Sequence, residues 1–296
     1  MKQAILITAY KDFDQLYELA ALFDTDFNIY IHVDRKAQLS ALWRSRILAL
    51  PAVKYLGQDD VVNWGGLNHL RAYLKLAAAA LKDPENLFFH LITGQDFPVA
   101  QADRFRFIAA DALKHNKNYL HHFKLPEPKW EDGSMERLDR YNLYDVLDAK
   151  KHKSWILRVL KLQKLLGFKR SMSSLPENLF GGSTYWSLNR SCLQYVLDYT
   201  AMHKPFFNRF RFTFCAEEIY FQTLILNSAF AATVVNDNLR FIDWESGRRG
   251  YPAFLEEEDY SKALAAGSLF ARKVDKKAFR VFKRLRDDNM EVVNGR

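Results

Sequence analysis

Two adjacent glutamates, Glu217 and Glu218, stand at the head of a mostly apolar run, TFCAEEIYFQTLILNS, from residue 213 to residue 228. Successive residues of a helix point about 100° apart, so two such carboxylates cannot both reach one reacting atom. This disfavours a hydrolase with two opposed carboxylates and favours a single general base. The dipole of the predicted helix would favour the ionised form of that base, although both glutamates could equally do no more than complement the helix end.

The composition indicates a globular protein that can bury a sizeable core. The chain has 296 residues, of which 49% are hydrophobic and 15% aromatic. No apolar segment approaches the roughly 18 residues that a membrane span needs. The start, MKQAILITAY, lacks the pattern of a signal peptide, and two cysteines predict neither a disulfide framework nor a zinc site. We therefore expect a cytoplasmic protein.

The positive charge is unevenly distributed and favours an anionic partner. The net charge is +8, and much of it lies in residues 150–170 and 276–286. In the first segment, Leu and Ile recur at helical spacing between Lys and Arg, which is typical either of an interfacial helix on an anionic membrane or of a surface helix that packs its apolar stripe on the core. A non-catalytic, basic membrane- or nucleic-acid-binding protein is the alternative to an enzyme. No RNP-like, OB-like or helix-turn-helix pattern accompanies the charge, so we expect no nucleic acid partner.

Strands and helices alternate from the N-terminus. The apolar patterns predict strands at residues 4–9, 28–34, 52–57 and 86–94, and helices at 14–23 and 67–82. Such alternation predicts an α/β fold with a mostly parallel central sheet flanked by helices, whose ligands bind beyond the carboxyl ends of the strands. The polar motifs HVDRK, NWGG and GQDFP follow three of these strands. Taken singly, each could also be a helix cap, a core residue or a turn.

Seven motifs in their order along the chain carry a resemblance to one family. They are HVDRK, NWGG, LITGQDFP, GGSTYWSLNR, CAEEIYFQTLILNS, LRFIDW and SLFARKVD. The chain from about residue 4 to 275 resembles the core-2/I-branching N-acetylglucosaminyltransferases and their relatives, the peptide O-xylosyltransferases. The resemblance implies a GT-A-like, Rossmann-type nucleotide-sugar-binding fold over residues 1–275, followed by a basic C-terminal helix or tail at 276–296. It also implies an inverting glycosyltransferase that uses a UDP-sugar donor and no other cofactor.

The resemblance also carries site residues onto this sequence. The segment Tyr220-Phe221-Gln222-Thr223 places the catalytic glutamate of the family at Glu218, and SLFARKVD supplies Arg272 and Lys273 to stabilise the UDP leaving group. The other residues implied for the donor are Thr8, Asp34, Asn63, Trp64 and Arg249, and those for the acceptor are Trp130, Tyr185 and Trp186. Trp186 could equally be a core residue of a strand.

The resemblance implies catalysis without a metal. The chain has two Asp-x-Asp triplets, Asp12-Phe13-Asp14 and Asp24-Thr25-Asp26, and neither follows a predicted strand in the way that a metal-binding motif would. Tyr10 stands where the family usually has His, and the cysteines and membrane anchor of the animal members are absent. The sequence therefore resembles a bacterial relative in surface polysaccharide synthesis, with UDP-GlcNAc or UDP-xylose as donor and a glycan or lipid-linked glycan as acceptor.

Overall fold

A computed structural model describes residues 1–130 and 133–294 of the chain. The strands are β1 Lys2–Ala9, β2 Phe27–Val33, β3 Val53–Gly57, β4 Asn86–Thr93, β5 Asp96–Pro98, β6 Asn118–Leu120, β7 Phe123–Lys124, β8 Phe180–Gly181, β9 Trp186–Asn189, β10 Val234–Val235, β11 Arg240–Ile242 and β12 Phe270–Arg272. The helices are α1 Phe13–Ala21, α2 Ala41–Leu48, α3 Asn68–Leu81, α4 Ala102–Lys114, α5 Glu136–Asp139, α6 Ala149–Leu165, α7 Arg190–Met202, α8 Lys204–Arg209, α9 Glu217–Leu226, α10 Glu257–Ala265 and α11 Lys276–Asn294. Short 3₁₀ turns occupy Leu143–Asp145 and Ala231–Thr233.

The central sheet has the strand order β10-β6-β9-β4-β1-β2-β3. Strands β1 to β4 run parallel to one another, whereas β9 is antiparallel to both β4 and β6. Every residue of β2 is buried, as expected for a parallel strand covered on both faces. The predicted α/β class, with a mostly parallel sheet flanked by helices, is confirmed, and the four predicted strands and two predicted helices are present within two residues at each end.

The sheet separates two hydrophobic cores. Because side chains alternate along a strand, Ile5 and Ile7 of β1 point into the first core, and Ala4 and Leu6 into the second. Helices α1, α4 and α11 cover the first core, and α3, α7 and α9 cover the second. The carboxyl ends of β1, β2 and β4 therefore meet at one edge, between the two helical layers.

A second, three-stranded sheet lies beside this edge in the order β11-β12-β5. Its antiparallel register pairs Arg272 with Asp96. Helix α11 packs Phe279 and Phe282 on Phe97 of β5, with ring centroids 5.1 and 5.6 Å apart. The predicted boundary between a domain at 1–275 and a tail at 276–296 stays a prediction, and residues 295–296 of that tail lie outside the described residues.

Within residues 1–130 and 133–294, no helix has both the length and the apolar character needed to cross a bilayer.

Candidate active site

The carboxylate of Glu218 is held at both oxygens. The guanidinium of Arg137 donates from Nη1 to Oε2 at 2.6 Å, and the hydroxyl of Thr184 donates to Oε1 at 3.3 Å. About a quarter of the side chain, 25%, remains exposed, whereas that of Arg137 is 5% exposed. Glu218 is thus fixed in direction by the protein and still open on one side.

The surroundings of Glu218 raise its pKa to about 7. Desolvation by burial is the largest cause; the charge of Arg137 opposes it, and the neighbouring Glu217 adds to it. The sequence predicted that the helix dipole would favour the ionised form. In the structure burial outweighs that effect, so Glu218 exchanges a proton close to neutral pH, as suits a general base or acid.

Glu217 points into a different environment. Its Oε1 lies 3.1 Å from Nδ1 of His69, and the Nε2 atom of that histidine lies 3.2 Å from the hydroxyl of Tyr73. The side chain of Glu217 is only 4% exposed. The two adjacent glutamates therefore point in different directions, as the helix geometry predicts. Glu217 joins a buried polar network, and Glu218 borders solvent.

Arg272 lies in a buried ion pair at the end of β12. Its Nη1 donates to Oδ2 of Asp96 at 3.3 Å, and its guanidinium stacks 4.0 Å from the ring centroid of Tyr185. The same Asp96 oxygen accepts the backbone N–H and the hydroxyl of Thr93, both at 2.7 Å. Desolvation is the largest single influence and would lower the pKa of Arg272, but Asp96, Tyr185 and Tyr73 together outweigh it and raise the pKa, so the cation is permanent.

Lys273 differs from the two arginines near it. Its ammonium lies 4.4 Å from the ring centroid of Phe254, and among the described residues it has no carboxylate partner. Burial, followed by the positive charges of Arg272 and Lys11, lowers its pKa. Arg249, by contrast, is paired with Asp275 at 2.6 Å. Lys273 is therefore the cation in this group whose charge is least neutralised by the protein.

Tyr185 joins the Glu218 end of the site to the Arg272 end. The side chain lies against Arg272, and burial raises the pKa of its hydroxyl. The charge of Arg272 lowers this pKa, whereas the charges of Asp96, Glu218 and Glu217 raise it, as expected for a ring within electrostatic range of all four groups. The structure thus brings the predicted base, the predicted leaving-group cation and one predicted acceptor residue into one neighbourhood.

Four of the residues predicted for the donor lie at or after the carboxyl ends of β1, β2 and β3, namely Thr8, Asp34, Asn63 and Trp64. Thr8 is buried near the end of β1. Asp34 Oδ1 accepts the backbone N–H groups of Lys36 and Val62, at 3.0 and 3.2 Å, so this carboxylate also closes its own loop. Asn63 accepts from the ammonium of Lys36 at 2.9 Å. These side chains line the edge at which the parallel strands end.

Trp64 is 54% exposed and stands edge-on to two rings, Phe214 at 5.2 Å and Tyr144 at 5.8 Å. The two glycines that follow it are required for this packing. A Cβ on Gly65, whose φ is +79°, would lie 2.6 Å from Phe214, and one on Gly66 would lie 2.9 Å from the carbonyl oxygen of Tyr144. The NWGG motif therefore brings the backbone close to aromatic residues of the protein itself and leaves the indole of Trp64 facing outward.

The two tryptophans predicted for the acceptor have different positions. Trp130 lies under Arg137, with the guanidinium 3.7 Å from its ring centroid, and so borders Glu218 through that residue. Trp186 is 0% exposed and packs against Phe221 at 5.2 Å. A side chain without accessible surface cannot stack on a sugar, so the acceptor role predicted for Trp186 is replaced by the alternative, a core residue of the strand.

Sequence reasoning missed Arg137, although it makes the shortest contact to Glu218. The two residues are 81 positions apart, and no motif or periodicity marks Arg137. Thr184 stands within the GGSTYWSLNR motif but was not singled out there. His69, the partner of Glu217, lies in the first turn of α3 and carries no signal beyond its residue type.

The two Asp-x-Asp triplets are engaged in ion pairs elsewhere. Asp12 and Asp14 pair with Lys276, at 3.4 and 2.8 Å, and Asp26 pairs with Arg106. Within the part of the chain that the structure describes, no three His, Cys, Asp or Glu side chains lie together as a potential set of metal ligands.

Comparison with known proteins identifies related sequences over most of the chain. The family model described as Core-2/I-Branching enzyme matches residues 4–264. Xylosyltransferase 1 of Rattus norvegicus is 26% identical over 241 residues, which cover 76% of this chain and 25% of the relative. Beta-glucuronosyltransferase GlcAT14A of Arabidopsis thaliana is 22% identical over 270 residues, covering 86% of this chain and 56% of the relative. The chain thus spans about a quarter of the length of the xylosyltransferase that it matches.

Solved structures give weaker likenesses. Mouse xyloside xylosyltransferase 1 in its apo form covers 91% of this chain and 96% of its own, at 12% identity and a TM-score of 0.39. TarS residues 1–349 of S. aureus, in complex with UDP-GlcNAc, cover 47% of this chain and 44% of their own, at 15% identity and a TM-score of 0.29.

Proposed function

Because the chain belongs to the core-2/I-branching enzyme family, we propose that it is an inverting glycosyltransferase that moves a sugar from a UDP-sugar to a hydroxyl group of a glycan. The observation that carries the proposal is the state of Glu218. Its carboxylate is oriented by Arg137 and Thr184, is open on one side and has a pKa raised to about 7. An ion pair that served only to stabilise the helix end would require neither a carboxylate open on one side nor a pKa near neutrality.

In the proposed reaction Glu218 is the general base. The acceptor hydroxyl oxygen attacks the anomeric carbon from the face opposite UDP, while a free lone pair of the Glu218 carboxylate takes the hydroxyl proton. A bond forms between the acceptor oxygen and the anomeric carbon, and the bond from that carbon to the β-phosphate oxygen breaks, with its electron pair leaving on UDP. The products are the glycoside with inverted configuration, UDP and a protonated Glu218, which returns its proton to solvent.

The leaving group is stabilised by fixed cations in this proposal. Arg272 keeps its charge through Asp96, and Lys273 presents an ammonium without a carboxylate partner among the described residues. Fixed cations aimed at a developing diphosphate charge perform the same electrostatic task as a divalent metal, and losing one such group typically raises the barrier by a few kcal/mol. We therefore expect activity to persist in EDTA. Loss of activity in EDTA that manganese restores would contradict metal independence.

Donor, acceptor and location follow from the same proposal. Thr8, Asp34, Asn63 and Trp64 border the nucleoside, with Arg249 near the phosphates. Tyr185 and Trp130 border the acceptor. The donor sugar is GlcNAc or xylose, and the acceptor is a glycan or lipid-linked glycan made at the inner face of a bacterial membrane during surface polysaccharide synthesis.

A donor screen tests the activity directly. The protein is incubated with UDP-GlcNAc, UDP-xylose and UDP-glucuronic acid, and UDP release is measured with and without oligosaccharide acceptors. Thermal unfolding with UDP and with uridine is recorded in parallel, because a ligand that binds only the native state raises the melting temperature. We expect UDP to stabilise the protein more than uridine does, and one of the first two donors to be consumed. No stabilisation by UDP and no turnover of any donor would overturn the proposal in favour of a non-catalytic binding protein.

A further inference from the structure

One side of helix α6 is apolar and exposed. Trp155, Leu162 and Leu166, the last at the C-terminal cap, are spaced seven and four residues apart and so share one face. These side chains, the α6 face, are 59%, 53% and 71% exposed. Of the whole helix only Ile156 and Gln163 are buried. The expectation that this helix packs its apolar stripe on the core therefore holds only for a minor part of its surface.

Basic residues surround the α6 face. The helix sequence AKKHKSWILRVLKLQKL contains six Lys or Arg and no acidic residue. The guanidinium of Arg158 lies 5.3 Å from the ring centroid of Trp155 and thus beside the apolar face. Lys164 is bound to Glu136 at 2.7 Å, which ties the helix to the body of the protein. Among the described residues, no carboxylate pairs with Lys151, Lys153 or Lys161.

Charge complementarity selects the occupant of this surface. A second copy of the chain would bring one basic helix against another in a protein whose net charge is already +8. A bilayer with anionic lipids would instead accept Trp and Leu at the boundary between headgroups and acyl chains and Lys and Arg among the phosphates. We propose that the α6 face is a docking surface for an anionic lipid bilayer, held by shallow insertion of Trp155, Leu162 and Leu166.

The position of α6 gives this docking a direction. Asp148, the N-cap of α6, pairs with Lys36 at 3.1 Å, and the same ammonium donates to Asn63. Lys150 lies 5.5 Å from the ring centroid of Tyr10, which follows β1. The N-terminal end of the docking helix therefore adjoins the edge where the predicted donor residues lie. If the proposed function holds, a lipid-linked acceptor in the same leaflet is brought to this edge, but the docking itself does not depend on catalysis.

Co-sedimentation with vesicles tests the docking. We expect the protein to bind vesicles of phosphatidylcholine mixed with phosphatidylglycerol and not to bind vesicles made only of phosphatidylcholine. Salt should release the protein from the mixed vesicles. The triple variant Lys151→Gln, Lys153→Gln, Lys161→Gln should lose at least about tenfold in partitioning. The matched control removes three charges from α11, which buries Ala278, Phe279 and Phe282. The changes Lys277→Gln, Arg280→Gln and Arg284→Gln should cost far less.

A second set of variants tests the apolar part. Trp155→Ser with Leu162→Ser should abolish binding at moderate salt, and Trp155→Phe should remove most of the fluorescence change that vesicles cause. Donor hydrolysis in vesicle-free buffer should be unchanged in both, so loss of docking is distinguished from loss of the proposed activity. The proposal is overturned if the wild-type protein does not bind anionic vesicles at low ionic strength, if the α11 control loses as much as the α6 variant, or if the apolar variants convert a dimer into a monomer.

Discussion

The Glu218 end and the Arg272 end of the candidate site hold their charges in opposite ways. Glu218 is contacted by one guanidinium and one hydroxyl, and its pKa is raised to about 7, so it changes charge near neutral pH. Arg272 forms a buried ion pair with Asp96, and its pKa is raised. Lys273, the next residue, has no carboxylate partner among the described residues. The first end is suited to exchange a proton, and the second to present a charge that stays constant.

The comparison is tested most strongly at Glu218. Since the carboxylate of Glu218 is open on one side and has a pKa of about 7, Glu218→Gln should lower turnover by at least about a hundredfold while leaving UDP binding intact. Glu217→Gln is the matched control; it changes the neighbouring, buried carboxylate that contacts His69, and should reduce turnover much less. Initial rates and thermal shifts with UDP give both quantities. Equal rates for Glu218→Gln and the wild-type protein would remove the assignment of the base.

The opposite end is tested at Lys273. Lys273→Ala should weaken UDP binding by about tenfold or more, since a partly desolvated cation facing a diphosphate is lost, and should barely change uridine binding. The control is Lys276→Ala, three residues further on, because that ammonium is already paired with Asp12 and Asp14. Isothermal titration with both ligands measures the difference. An equal loss for UDP and uridine would show that Lys273 does not bind the phosphates.

The pH dependence sharpens the contrast between the two ends. The general base must be deprotonated, so turnover should rise with pH, reach half of its maximum near pH 7 and level off about one unit higher, since the pKa of Glu218 is about 7. Arg137 lowers that pKa, so Arg137→Gln should move the rise in turnover to higher pH. Its activity at pH 7 should fall several-fold and should be regained in more alkaline buffer. Arg137→Lys keeps the positive charge and should shift the rise by a smaller amount. Turnover that is independent of pH between 5.5 and 8, an interval of about one unit or more on each side of that pKa, would contradict the role of Glu218.

The first half of the fold could be predicted well because its strands are long and apolar. β1, β2 and β4 have seven or eight residues each, and their alternation with helices marks a parallel sheet. Strands β8 and β10 have two residues each, and β11 and β12 three. Segments of this length have no measurable period, so only tertiary pairing defines them. The site residues of the C-terminal half are therefore predicted from motifs and not from hydrophobic periodicity.

The candidate site could be predicted where a residue lies in a motif and not where it is defined by a distant partner. Glu218 and Arg272 come from motifs; in the structure Arg272 lies against Tyr185, and Glu218 is within electrostatic range of the same ring. Arg137 is recognisable only once the chain is folded, since its role depends on a contact across 81 residues. The interpretation of Trp186 as an acceptor contact failed because residue type and strand alternation do not tell which face of the strand is covered.

The pairing of β12 with β5 has a consequence for how the protein is made. Asp96, with no exposed surface, is separated from Arg272 by 176 residues. At a synthesis rate of about 5–20 residues per second, roughly 9–35 s pass on the ribosome before the arginine follows the aspartate. During that interval the carboxylate of Asp96 lacks the counter-charge that Arg272 supplies in the folded protein. A chain that stops before residue 270 thus contains strands β1 to β4 of the parallel sheet but lacks Arg272, so Asp96 gains its buried counter-charge only after most of the sheet has been synthesised.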